Sequence, residues 1–412
     1  MFKLLKHNTL LVCYSILLCV ICFTPIVDQR LSNPVTAVVF GGFVIFFIKK
    51  ILGCGDILLN KVRNFWCVFL IICVAYIFVG ISEGTASSVL PYFLFIIPLF
   101  IYVLITSDCD DTQLHSLFHF FCFIIAFNIA DSVRICLVNP EYISYQGLSE
   151  ELEMYGIAGL NLGGASFLNM SVFFLNVMLI SFFNTKEKAE RIIFGIYAGI
   201  TFFFDVFLSM KGSVILITFF SLVLNYCDHK SEQFIKASSW VVLLFLVVYF
   251  LRDFLVYSLV NIIGSDRVAV RLLAFTSDNE GLGEVNTFTS RANLWLVSIQ
   301  TWLRNIGTFF FGIGNRYYVA GQSAALTGIG QHSDFLDSLA KYGLIGTSIL
   351  IIVFVNMYKY MVVIAKEYKN FIITFFIVIL YFAFFKKIFF PEVGFIFFCL
   401  LPLCLIIYRH DR

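Results

Sequence analysis

The residues best suited to chemistry lie in the segment Gln331–Gly346, QHSDFLDSLAKYGLIG, which joins a long polar stretch to an apolar run. His332 is one of only six histidines, and an imidazole at this boundary can exchange a proton or polarise a hydroxyl. Ser333 or Asp334 can cap a helix here, and Asp334 and Asp337 would lie in its first turn, where carboxylates are favoured. The alternative interpretation is that His332 only hydrogen-bonds a helix end at the membrane–water boundary.

Six arginines in one predicted loop and at its start form a second candidate group. They are Arg252, Arg267, Arg271, Arg291, Arg304 and Arg316. Arg291 falls in the first turn of a predicted helix, where free backbone N–H groups also attract anions. Arg267 and Arg271 are four residues apart and share one helix face. Because a guanidinium is always charged and fork-shaped, this group favours phosphate binding; a solvated basic surface is the alternative interpretation.

Three further polar positions interrupt apolar sequence. Lys211 lies in the short turn 209–213, so its charge must either reach the membrane surface or face a cavity. Asp131 and Arg134 are three residues apart on one predicted helix face, where they either neutralise each other or contact a ligand. Asn161 precedes two glycines at the start of a predicted span, where an asparagine either caps the helix or contacts a ligand.

The elements that must position these residues are membrane helices. Of the 412 residues, 60% are hydrophobic and only 13% are charged, which leaves more apolar surface than a soluble protein can bury. The apolar runs predict an all-α polytopic membrane protein with about twelve spans, within a single integral membrane domain over 1–412. The predicted spans are 8–25, 34–48, 65–81, 88–106, 116–138, 163–183, 192–208, 213–227, 239–258, 337–358, 370–386 and 393–408.

The orientation of these spans follows from the distribution of Lys and Arg. These residues are concentrated in alternate loops, which places both termini in the cytoplasm under the positive-inside rule. The N-terminal segment MFKLLKH precedes an apolar run without a small-residue cleavage motif, so we expect an uncleaved first span. This orientation places the long loop 259–336 on the outer side of the membrane.

Helical patterns divide the long loop. Residues 266–275 have apolar side chains at helical spacing, and Ser290 can cap a second helix over 291–303. That helix is expected to lie at the membrane interface, because it carries an apolar stripe with two tryptophans. The stripe consists of Leu294, Trp295, Ile299 and Trp302. Turns are then predicted at Gly312, Gly314, Gly321, Gly328 and Gly330.

The sequence lacks the motifs that are typical of disulfide-rich, metal-binding, nucleotide-binding and hydrolytic proteins. The twelve cysteines are scattered, mostly inside apolar runs, so we expect neither a disulfide framework nor a cysteine-based metal site. The sequence has no Walker loop, dinucleotide-binding fingerprint, nucleophile elbow or HExxH helix. We therefore expect no metal, no cofactor and no nucleic-acid partner. Without ATP, the energy for any bond that is formed must arrive with the substrate.

Four segments together resemble the O-antigen polymerase family (Wzy type), which is related to the O-antigen ligases. TSRANLWLVSIQTWLRN followed by FFFGIGN is similar to the family's Arg–Trp helix and Gly-rich turn. QHSDFLDSLAKYGLIG is similar to its His-led start of a late span, SMKGSVIL to its Ser-Arg-Gly hairpin, and YGIAGLNLGGASF to its Pro-Asn segment. The layout of spans with one long outer loop also fits. Two positions depart from the family pattern: Lys211 stands where Arg is usual, and Leu160 where Pro is usual.

The resemblance implies a glycosyltransferase with GT-C-like helical architecture at the periplasmic face of the bacterial inner membrane. Undecaprenyl pyrophosphate-linked oligosaccharides would be both donor and acceptor, and a chain-length regulator protein is a candidate partner. Arg291 would stabilise the departing pyrophosphate and His332 would orient or deprotonate the acceptor hydroxyl. Lys211, Arg267 and Arg271 would help to bind pyrophosphate. Candidate contacts to glycan or lipid are Asn161, Arg134, Trp295 and Asp334.

Two other functions stay open at the level of sequence. An O-antigen ligase would send the same glycan to the lipid A core, and its motifs overlap with those of the polymerase. A lipid-linked oligosaccharide flippase belongs to a different class, in which two similar halves carry charged residues within the spans. Here the charge is concentrated in one long outer loop, which favours the polymerase over the flippase.

Overall fold

The computed structural model describes residues 9–23, 56–80, 90–138, 165–208, 212–228, 287–314, 327–330 and 333–409. Within these ranges every regular element is helical and there is no strand. The helices, in order, are α1 (Thr9–Phe23), α2 (Ile57–Gly80), α3 (Leu90–Asp108), α4 (Asp111–Val138), α5 (Ala165–Asn184), α6 (Lys188–Leu208), α7 (Gly212–Asp228), α8 (Thr287–Trp302), α9 (Ile306–Phe311), α10 (Asp334–Ile364), α11 (Lys369–Phe385) and α12 (Pro391–Tyr408). π-Helical turns end α6 at Phe204–Leu208 and interrupt α12 at Ile396–Leu400.

Seven of these helices are long and apolar enough to cross a membrane: α2, α4, α5, α6, α10, α11 and α12. The shorter apolar helices α1, α3 and α7 coincide with three further predicted spans. The predicted spans at 34–48 and 239–258 lie outside the described residues. The described part of the chain is therefore an all-α protein whose helices suit a lipid bilayer.

Some helices begin before the apolar runs that predicted them. α2 starts at Ile57 instead of residue 65, because the Asp56 carboxylate caps it and accepts the N–H of Leu58 at 2.9 Å. Its first turns carry Lys61 and Arg63, which hydropathy excludes from a span although both are good helix formers. Hydropathy thus located the apolar part of α2 and missed its polar first turns.

A buried aromatic cluster joins α2, α3, α10 and α12. The ring of Trp66 meets Phe95 of α3 at 5.9 Å and Phe398 of α12 at 6.0 Å between centroids, in edge-to-face arrangements. One turn further along α2, Phe69 packs against Tyr342 of α10 at 5.1 Å. The same cluster therefore positions the first half of α10, which carries the polar segment singled out by the sequence.

α10 breaks at Gly343, where φ is 62° and ψ is −167°. A left-handed φ of this kind is accessible mainly to glycine. The carbonyls of the turn before the break bond to the Gly-rich segment that follows α9. Ala340 O accepts from Ile313 N at 2.9 Å, and Lys341 O accepts from Gly314 N at 2.8 Å. These two hydrogen bonds join the first half of α10 to the Gly-rich segment that follows α9.

Gly343→Ala is expected to lower the thermal unfolding temperature of the protein. A Cβ here would lie 2.4 Å from the backbone of Phe310 and Phe311. The positive φ alone costs a residue other than glycine about 1–2 kcal/mol. Gly199→Ala in α6 is the matched control, since a Cβ there meets nothing within 4 Å. Thermal unfolding in detergent measures both variants, and a Gly343→Ala protein as stable as the wild type would contradict the broken helix.

Candidate functional site

The helix predicted in the long loop is present as α8. It begins at Thr287, so Ser290 lies inside it and the prediction of Ser290 as its cap is wrong. Sequence places helix ends to within only a few residues, and a serine in a first turn costs little. Trp295 of the predicted stripe packs against Phe385 of α11, with ring centroids 5.5 Å apart. The stripe thus contacts the helix bundle at this residue.

A buried serine joins α8 to the start of α10. Ser298 Oγ donates to Asp337 Oδ1 at 2.7 Å and accepts the backbone N–H of Gly330 at 2.8 Å. Gly330 lies so close to α8 that a Cβ on it would be 2.1 Å from the carbonyl oxygen of Leu294. The segment 327–330, α8 and α10 therefore meet at one buried point.

The first turn of α10 is fixed to the turn that follows α11. Ser333, one of the two predicted capping residues, accepts the N–H of Leu336 at 3.2 Å. The Asp334 carboxylate accepts backbone hydrogen bonds from Ile388 and from Phe389, the latter at 2.9 Å. Asp334, a predicted contact to glycan or lipid, thus holds the start of α10 in place.

Lys341 is a buried cation that the sequence reasoning did not single out. It follows Asp337 by four residues, so the two share one face of α10. Lys341 also lies within electrostatic range of Asp334 and of Lys387 in the turn after α11. The signal was present in the sequence, because an acidic residue followed four positions later by Lys is a favourable helical pair. Charge is therefore concentrated at the first turns of α10.

Glycines shape the backbone around this point, as predicted. Gly312, Gly314 and Gly328 have φ values of 74°, 74° and 67°. These left-handed conformations turn the chain between α9 and α10. Gly330 is required for a different reason, its close approach to α8. The predicted turn at Gly321 lies outside the described residues.

An apolar groove of about 430 Å³ lies between α10 and α11. Along α10 its lining consists of Asp334 and Phe335 before the break at Gly343 and of residues from Thr347 to Tyr358 after it. The part after the break is about 16 Å long at 1.5 Å per residue. This length is about half of the hydrocarbon thickness of a bilayer, about 30 Å. Its walls are mostly apolar side chains, among them Phe335, Leu350, Phe354, Phe376 and Leu380. The groove therefore runs from the polar start of α10 along part of the half of the helix that follows the break.

Asp131 and Arg134 form the ion pair that was one of their two predicted interpretations. Arg134 Nε and Nη2 each lie 2.7 Å from Asp131 Oδ1 within α4. An exposed pair of this kind contributes only about 0.2–0.5 kcal/mol to stability. The charge of Arg134 is therefore partnered within its own helix.

Most of the other predicted site residues lie outside the described residues: His332, Lys211, Arg267, Arg271 and Asn161, together with the predicted helix over 266–275. Arg291 is part of α8, but its side chain also falls outside what the structure describes. Its backbone position is two turns before Ser298 on the same helix face, about 10 Å along the axis. The described residues on either side of the pair 331–332, Gly330 and Ser333, are both buried.

Asp205 is a buried carboxylate that the sequence reasoning missed. It lies in the π-helical turn that ends α6. Its carboxylate accepts hydrogen bonds from Ser171 of α5 and from Thr218 of α7, the latter at 3.3 Å. Hydropathy averaged over a span hides a single acid, although ionisable residues inside a membrane are costly and often mark functional positions. Asp205 precedes Lys211 by only six residues.

No protein-family model matches this chain, and no curated protein matches it either. The resemblance of four short segments to the O-antigen polymerases therefore stays a prediction from the sequence.

Proposed function

We propose that this protein is a glycosyltransferase of the O-antigen polymerase type. It would transfer the growing glycan from undecaprenyl pyrophosphate to a new lipid-linked repeat unit at the periplasmic face of the inner membrane. The proposed architecture is GT-C-like and has about twelve spans. In this arrangement both termini are cytoplasmic and the long loop 259–336 is periplasmic.

The observation that carries the proposal is the meeting of α8 with the start of α10. Ser298 bonds Asp337 at 2.7 Å and Gly330 at 2.8 Å, which ties the Arg-bearing helix to both sides of the segment that contains His332. These contacts join residues that are 39 and 32 positions apart. They give a physical reason for two of the family-like segments, the Arg–Trp helix and the His-led span, to act as one unit.

The groove between α10 and α11 supports a lipid-linked substrate. It begins at Asp334, two residues after His332, and is lined mostly by apolar side chains over about half of the thickness of a bilayer core. A polyprenyl chain in this groove would keep its pyrophosphate at the polar end, beside the start of α10. The same groove is poorly suited to bind a water-soluble sugar nucleotide, because its lining is mostly apolar.

The proposed reaction uses electrostatic stabilisation and a general base. The bond between the anomeric carbon and the donor pyrophosphate breaks as the acceptor hydroxyl bonds to that carbon. The pyrophosphate leaves with the bonding electrons, and Arg291 stabilises its charge with help from Lys211 and from Arg267 or Arg271. His332 orients the hydroxyl and accepts its proton. The donor is activated by its own pyrophosphate bond, so the reaction needs no nucleotide.

Narrowing the groove is expected to weaken use of the lipid-linked substrate. Leu380 lines the groove and is 56% exposed, so Leu380→Trp fills the groove without overpacking the core. Excluding about two methylene groups costs about 1.6 kcal/mol, or slightly more than tenfold in apparent affinity. Polymerisation rates at varied substrate concentration measure this loss. Ile352→Trp is the control, because Ile352 is exposed on α10 but is not part of the groove lining; equal rates for the two variants would argue against a lipid in the groove.

Deletion of the gene encoding this protein distinguishes the three candidate functions. A polymerase mutant should make lipopolysaccharide with a single repeat unit. A ligase mutant should instead accumulate long undecaprenyl-linked polymer, and a flippase mutant should retain single repeats on the cytoplasmic side. Either of the last two outcomes would replace the proposed function.

A further inference from the structure

Two histidines on α4 and a glutamate on α6 converge away from the start of α10. His115 and His119 are four residues apart, so their rings lie on one helix face with centroids 4.6 Å apart. Glu190 Oε1 lies 3.2 Å from His115 Nε2 and 3.1 Å from His119 Nε2. Both imidazole rings therefore contact the same oxygen of the Glu190 carboxylate. The sequence-based expectation of no metal site rested on cysteine spacing and on the absence of an HExxH helix, and it did not consider this pair of histidines.

The distances among these three side chains suit a small divalent cation. Zn²⁺ binds imidazole nitrogen and carboxylate oxygen at about 2.0–2.2 Å, so neighbouring ligand atoms of a tetrahedral site lie about 3.3–3.5 Å apart. The two nitrogen–oxygen separations are within a few tenths of an ångström of that spacing. One ligand atom from each residue can be chosen so that all three lie within 4.8 Å of one another. Small rotations of the three side chains would thus bring their ligand atoms within bonding distance of one ion.

The surroundings of the cluster hold its ligands in place. Thr185 Oγ1 donates to Glu190 Oε2 at 2.8 Å, and the Tyr408 hydroxyl of α12 lies 3.5 Å from the same oxygen. The His119 ring stacks on Phe194 with centroids 5.3 Å apart and an interplanar angle of 17°. Such outer contacts fix ligand orientation in metal sites and leave Glu190 Oε1 directed at the two rings.

The degree of exposure also suits a site that exchanges metal with the solvent. The side chains of His115 and His119 are 38% and 27% exposed, whereas that of Glu190 is only 13% exposed. Water can therefore reach the imidazole side of the cluster and supply a fourth ligand. A divalent cation would also place positive charge beside the Glu190 carboxylate, which is a ligand type that such ions accept.

We propose that His115, His119 and Glu190 form a Zn²⁺ site that joins α4 to α6. The site would lie where α4 and α6 begin and α12 ends, which is the cytoplasmic end of the bundle in the orientation predicted from Lys and Arg. The competing explanation is a metal-free network in which both rings only hydrogen-bond the carboxylate. The two explanations differ in stoichiometric metal uptake, and neither depends on the proposed glycosyltransferase activity.

Metal analysis of the purified full-length protein tests the proposal. The protein, carrying a tag without histidines, is stripped with a chelator, equilibrated with Zn²⁺ alone and freed of unbound metal before the bound zinc is measured. The wild type should bind one ion per chain more than His119→Asn and Glu190→Gln, and X-ray absorption should detect imidazole ligands to that ion. Zn²⁺ should also raise the unfolding temperature of the wild type by a few degrees but not that of the variants. His229→Asn and His410→Asn serve as controls that should retain the ion.

Two results would overturn the proposal. One is equal zinc content in the wild type and in Glu190→Gln, the variant that preserves size and hydrogen bonding. The other is bound zinc without imidazole scattering in the wild type. If His119→Asn fails to give a monodisperse protein, His115→Asn, at the more exposed ring, takes its place in the comparison.

Discussion

Replacing Arg291 or His332 with Ala is expected to abolish long polymer while the single-repeat product remains. Loss of a general base typically slows a reaction by about 10²–10⁴-fold, and loss of a group that stabilises a leaving group in a dry site costs a similar factor. Chain elongation repeats the step many times, so even the smaller loss should remove the long products. Gel analysis of lipopolysaccharide from complemented deletion cells measures the effect.

Controls for these variants separate charge from geometry. Arg291→Lys keeps the charge but loses the forked pair of donors, so it should retain short polymers only. Arg304 belongs to the same group of six arginines but has no role in the proposed reaction. Arg304→Ala therefore removes an exposed arginine that follows α8 and should leave polymer length unchanged. Full-length polymer from both Arg291→Ala and His332→Ala would rule out the assigned catalytic roles.

Gly330→Ala is expected to reduce elongation about 100-fold while the protein still assembles in the membrane. Its Cβ would lie 2.1 Å from the carbonyl oxygen of Leu294, and no side-chain rotation can relieve an overlap between two backbones. The segment before His332 must therefore move away from α8. A displacement of about 1 Å between reacting groups is enough to cost about 100-fold in rate.

A milder variant tests the same contact without overlap. Ser298→Ala removes the hydroxyl that links Asp337 to Gly330, so it should reduce the elongation rate by about tenfold, in line with about 1–2 kcal/mol for a buried hydrogen bond. Ser132→Ala is the matched control, because the Ser132 hydroxyl is also buried but donates to Asn128 O within its own helix. If both Ser298→Ala and Gly330→Ala elongate like the wild type, the meeting of α8 and α10 is structural only.

Apolar periodicity, glycine turns and helix capping predicted the structural elements that are determined by residues close together in the chain. The apolar runs located ten helices that the structure describes, seven of them candidate spans and three shorter. Glycines between α9 and α10 predicted turns, and Gly312, Gly314 and Gly328 adopt the left-handed conformations that such turns need. Ser333 caps α10 because a serine before an apolar helical pattern satisfies a free N–H group.

Contacts between distant segments could not be read from the sequence. Asp334 bonds Ile388 and Phe389, more than fifty residues away, and only tertiary packing brings that turn to α10. The break at Gly343 was missed because the apolar pattern continues through it in the helical period. Likewise, Glu190 meets His119 across 71 residues, so no local spacing rule could have assembled that cluster.

The most direct test of the central claim is elongation by the purified protein in proteoliposomes supplied only with undecaprenyl pyrophosphate-linked repeat units. The proposed function predicts a ladder of longer lipid-linked glycans without any nucleotide, with one undecaprenyl pyrophosphate released for each new glycosidic bond. Unchanged single repeats after incubation with active, folded protein would contradict it, most clearly if the repeats had crossed the bilayer.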